Sequence, residues 1–107
     1  MVAAWSPGTA RGARKASPRL AAIIDDALRR ELGRRGYARV RVAEGRDYDG
    51  DPALFLQAVY ERGSGGPSGT DAMRALRRLR EALAEHGEER FPYLTHDVPG
   101  RDPAAPR

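Results

Sequence analysis

Residues 37–60 read YARVRVAEGRDYDGDPALFLQAVY, and the fold turns on how this stretch is divided. From Tyr37 to Val42 the chain alternates strictly. Val40 and Val42 fall on one side of an extended backbone, and Tyr37, Arg39 and Arg41 on the other, which predicts a strand with one face buried and one in water. The segment EGRDYDGDP then supplies Gly, Asp and Pro in the order a tight connection uses, and Ala53 to Tyr60 reads as a second strand antiparallel to the first. This second strand is apolar on both faces: Leu54, Leu56, Ala58 and Tyr60 on one, Phe55 and Val59 on the other, with Gln57 between them.

Working outward, the segment before residue 37 predicts an amphipathic helix. Ser17 and Pro18 suit its N-cap and first position, Leu20, Ile23, Ile24, Ala27, Leu28 and Leu32 recur at three-to-four spacing, and Gly33 suits its end. After residue 60 comes ERGSGGPSG, a flexible connection. Thr70 and Asp71 then open a second helix with the stripe Met73, Leu76, Leu79 and Leu83, closing near Gly87. Phe91, Tyr93 and Leu94 form a short third strand, which Pro92 confines to a sheet edge or a strand start because it cannot donate to a ladder. The expected fold is therefore α+β in the order α-β-β-α-β, with two helices packed on one face of a small three-stranded, mainly antiparallel sheet. It spans residues 18–96 as a single domain. Residues 1–17 and 97–107 are poor in large apolar groups and are expected to be disordered tails, and deleting residues 1–16 is expected to leave folding and partner binding unchanged.

A chain of 107 residues holds one domain, and 40% hydrophobic against 32% charged residues is a soluble balance that fills one small core. No run approaches the roughly 20 apolar residues of a membrane span, and the first residues lack the apolar centre of a secretory signal, so a cytoplasmic protein is expected. The absence of cysteine excludes disulfides, thiolate metal sites and cysteine nucleophiles. The net charge of +4 is not evenly spread. Arg11, Arg14 and Lys15 sit in the first tail with no acid beside them, while within residues 18–102 arginine-rich and carboxylate-rich blocks alternate and nearly cancel. A nearly neutral body is not the electrostatic footprint of a nucleic-acid protein.

Several short patterns carry possible chemistry. Residues 35–42, RGYARVRV, resemble the RNP1 signature of RNA-recognition motifs in their basic, Gly, aromatic, small and Val positions. That resemblance implies base stacking by Tyr37, although Arg39 stands where the family's second aromatic would be. Gly33-Arg34-Arg35-Gly36 is similar to the GXXG loop of KH domains, but here it joins a helix to a strand, where a helix-ending turn accounts for it. The element order is likewise similar to that of small ribosome-associated domains, including the N-terminal module of the RimP ribosome-maturation family. The Gly-rich connection from Gly63 to Gly69 has neither phosphate-loop spacing nor the following Lys. Asp47, Asp49 and Asp51 resemble the start of a calcium loop, yet Pro52 and Ala58 occupy the positions where such a loop needs Gly and Glu. His86 and His96 are not accompanied by a serine or carboxylate set suited to hydrolysis, and Glu81, Glu85, Glu88 and Glu89 read as a solvated helix end.

These readings lead away from catalysis, and no cofactor or metal is expected. The imbalance of the second strand leads toward binding, since two helices can cover one of its apolar faces and not the other. The uncovered face would combine Tyr37, Arg39, Arg41, Phe55, Gln57, Val59 and Tyr93. Aromatic residues and arginine are enriched at protein interfaces, so the expectation is a small protein-binding module, a homodimer or the accessory or antitoxin-like subunit of a larger protein. RNA bound on the same face is the alternative.

Overall fold

The computed structural model describes residues 11–100, and for residues 11–14 the backbone alone. Its elements in order are β1 (Arg11–Lys15), α1 (Pro18–Leu32), a 3-10 turn (Gly33–Arg35), β2 (Tyr37–Arg46), β3 (Pro52–Tyr60), α2 (Gly69–Glu85) and β4 (Phe91–Asp97). The α+β class and the α-β-β-α-β order from residue 18 onward are as the sequence implies. What the apolar pattern does not announce is β1. It pairs antiparallel with β2, so among the described residues the sheet has four strands in the order β1-β2-β3-β4. Five residues of the segment expected to be a tail are thus an edge strand, while residues 1–10 and 101–107 lie outside the described residues. At the other end Val98 packs against the core, past the expected boundary at 96.

β2 and β3 pair antiparallel from Tyr37↔Tyr60 to Arg46↔Pro52, and β4 runs parallel to β3 because α2 carries the chain back across the sheet between them. The helices stack on a single sheet face. Ile24, Ala27, Leu28 and Leu32 of α1 and Ala75, Leu79 and Leu83 of α2 meet Val42, Leu54, Leu56, Ala58 and Tyr60 in one core.

α1 starts where its caps say it should: Ser17 Oγ accepts from the Leu20 N–H at 3.2 Å, and Pro18 is its first residue. α2 begins one residue earlier than its apolar pattern suggests. Ser68 is the N-cap in a capping box, accepting from the Asp71 N–H at 3.1 Å while Asp71 Oδ2 accepts from the Ser68 N–H. The buried stripe of α2 is also rotated from the expected one. Ala75 faces inward, and Met73 is 68% exposed. The small Ala75 is fully buried in the core, and the larger Met73 is left on the outer flank.

Candidate partner-binding surface

The sheet face away from the helices is built in rungs. Lys15, Ala43, Phe55 and Tyr93 align across the four strands, followed by Arg41, Gln57 and Thr95, and then by Arg39, Val59 and Asp97. Paired residues share a face, so Arg39, Arg41, Phe55, Gln57, Val59 and Tyr93 lie together as expected from the alternation.

Tyr37 does not join them. The pairing between β2 and β3 shifts between Tyr37 and Arg39, and this bulge turns Tyr37 to the helix side, where it is 5% exposed. Its hydroxyl donates to Asp25 Oδ1 at 2.7 Å, its ring meets Tyr60 edge-on at 6.2 Å, and the Arg29 guanidinium lies 5.0 Å from the ring centre. Arg29 also bonds Asp25 at 3.1 Å and the Ala38 carbonyl at 3.0 Å, tying α1 to the start of β2. Burial, followed by the bond to Asp25, pushes the Tyr37 hydroxyl well above the ordinary tyrosine range. The aromatic that supports the resemblance to RNP1 is therefore a packing residue. Strict alternation in the sequence gives no sign of a bulge, which inserts one residue and reverses the facing of everything before it.

The apolar centre of the open face is covered by its own neighbours. Phe55 is only 8% exposed because Tyr93 stacks on it, with ring centroids 5.4 Å apart and planes 13° from parallel, and Ala43 and Ala53 pack beside it. Val59 is 3% exposed. What faces outward is Tyr93 at 41%, Phe91 at 44%, and the charged groups on the rungs. On the rungs Lys15, Arg39 and Arg41 stand with Asp97, while the Asp47 carboxylate borders the Tyr93 end, so the cations are concentrated on the β1 and β2 side of the face. Under this cover Gln57 Oε1 is buried without a hydrogen-bond partner among the described residues.

Tyr93 is held in place by the β2–β3 loop. Its hydroxyl donates to Asp47 Oδ2 at 3.0 Å, and this bond, with some burial, raises the hydroxyl above its ordinary range. Asp47 Oδ1 accepts from the N–H groups of Asp49 and Asp51 at 3.0 and 2.9 Å. Desolvation raises the Asp47 carboxyl, but these bonds and the one from Tyr93 outweigh it and leave the group below its usual range. The carboxylates of Asp47, Asp49 and Asp51 lie within 4.8 Å of one another, a grouping that the Asx-type turn itself produces.

On the helix side, the Tyr60 hydroxyl and His96 Nδ1 are 2.7 Å apart, and burial holds the His96 pKa below the ordinary imidazole value. Sequence reasoning missed this pair because its members are 36 positions apart and meet only through the parallel pairing of β3 with β4. A second link between distant segments is Arg90, which bonds Glu44 of β2 and pairs with Glu88 at 2.7 Å. No helix among the described residues is long and apolar enough to cross a membrane. No protein-family model, curated protein or solved structure matches this chain.

Proposed function

We propose that this chain is a small, non-enzymatic protein-binding module of the cytoplasm whose open sheet face takes an acidic surface of a protein partner, either another chain or a second copy. The observation that carries the reading is the placement of Arg39, Arg41, Gln57 and Tyr93 on one face that no helix among the described residues covers. Tyr93 is pinned from below by Phe55 and from the side by Asp47, so it loses little rotamer freedom when a partner closes on it. The RNA alternative loses the residue on which its motif resemblance rests, since Tyr37 faces the helices, and keeps Tyr93, Phe91 and the cations of the open face.

The test compares the wild-type chain with Arg39→Glu/Arg41→Glu as bait in a nuclease-treated native lysate. A protein retained by the wild type, released by salt and lost by the double variant supports the proposal. Identical capture by both chains, or capture that disappears with nuclease treatment, overturns it.

A further inference from the structure

The two edges of the sheet are defended very differently. β1, RGARK, carries three cations in five residues, the usual guard against another strand. β4, FPYLTHD, has only Pro92 near its start and Asp97 at its end, with no lysine and no arginine between them. Among the described residues its outer side pairs with no strand. Beside that edge lies the outward flank of α2, where Met73, Leu76 and Ala84 line a shallow groove with Arg77, Arg80 and Glu81. Arg80 lies 5.4 Å from the ring centre of Phe91 and so ties this flank to the start of β4. Neither Arg80 nor Asp97 has an ion-pair partner among the described residues.

We propose that β4 is a self-association edge, on which two copies of this chain pair β4 to β4 antiparallel about an axis at Leu94, held by reciprocal ion pairs between Arg80 of one copy and Asp97 of the other. The register follows from the sequence of the strand. An axis at Leu94 sets Tyr93 opposite Thr95 and Phe91 opposite Asp97 of the second copy. Asp97 then arrives beside the ring on which Arg80 lies, twice by symmetry. Pro92 is off the axis, so it removes at most one donor at each end of the new ladder. Strand pairing alone buries less than the roughly 1,200 Å² of a stable interface, and the α2 flanks add apolar area, led by the exposed Met73. The edge is distinct from the open face, so self-pairing would leave Arg39 and Arg41 free and set two such faces side by side.

Sedimentation equilibrium of the purified full chain tests this at up to about 100 μM, enough to populate a dimer of micromolar Kd. The wild type is expected to be dimeric. Arg80→Asp or Asp97→Arg alone should raise the dimer Kd tenfold or more, because each reversal creates two like-charge contacts, and the two together should restore it to within about threefold. Arg19→Glu, exposed at the start of α1 and in neither surface, should leave the dimer intact, and Arg41→Glu separates this edge from a second copy docked on the open face. A monomeric wild type, single reversals without effect, or a double reversal that fails to restore pairing each overturn the proposal. Loss of the dimer on Arg41→Glu would move self-association to the open face and overturn it too. Circular dichroism on each variant checks that α2 is formed.

Discussion

Two side chains on the helix side of the sheet show how position changes chemistry. Tyr37 looks like a surface aromatic by its spacing from Arg39 and Arg41, yet its hydroxyl is the buried donor to Asp25. Tyr37→Phe keeps the ring and its contacts with Tyr60 and Arg29 but strands one bond to a carboxylate, and is expected to lower unfolding stability by about 1–2 kcal/mol in urea melts. An unchanged midpoint would show that Asp25 is satisfied by Arg29 alone. His96 makes the chain sensitive to acid. Its folded-state pKa lies below the ordinary 6.5, so the unfolded chain takes up the proton first as pH falls. The contribution of His96 is fully present above about pH 7, and it is lost as the pH drops through the unfolded value toward the depressed folded one. His96→Gln should therefore flatten the stability-versus-pH curve as the pH falls below about 7 relative to the wild type, as read by denaturant midpoints at each pH. Parallel curves for the two proteins would refute the assignment.

At the scale of elements, the turn between α1 and β2 separates the two glycines of GRRG by function. Gly33 has φ −55° and follows the helix with open space around its Cα, whereas Gly36 has φ +88° and abuts Ser64 of the loop before α2. The Gly36 carbonyl also accepts from the Glu61 N–H at 2.7 Å, which locks this turn to the end of β3. Gly33 ends α1 as its C-cap, as the sequence reading has it, and the left-handed residue is Gly36, which ends the 3-10 turn that follows. Gly36→Ala should cost about 2–3 kcal/mol, combining a positive φ with a side-chain collision, while Gly33→Ala should be neutral or slightly stabilising. Equal effects in thermal melts would mean the turn can re-form around either position. A GXXG turn locked in this way is accounted for by folding alone.

For the whole molecule, β1 changes what a truncation does. Removing residues 1–16 takes away the strand that covers the outer edge of β2, including the bond from the Ala16 N–H to the Val42 carbonyl. The apolar pattern makes this segment look dispensable, but its backbone is paired. Deletion should lower the thermal midpoint and promote aggregation through the bared edge of β2, a change visible by light scattering during a melt. A truncated chain as stable and as soluble as the wild type would show that β1 adds nothing to the sheet.

The sequence by itself determined the two helices, the hairpin of β2 and β3, and most of the core, because capping residues and apolar periodicity are local signals that Ser17, Pro18, Leu28, Val42 and Leu56 carry without help. It also determined that Arg39, Arg41, Phe55, Gln57 and Val59 share a face, since a period of two survives along an unbroken ladder. Tertiary structure alone decided the facing of Tyr37, the pairing of RGARK with β2, the outward turn of Met73 and the meeting of Tyr60 with His96. Each depends on a contact between segments far apart in the chain: a bulge set by the partner strand, an edge awaiting a strand with no apolar pattern, a helix rotated by its neighbour, and a parallel register reached only after α2 has crossed the sheet.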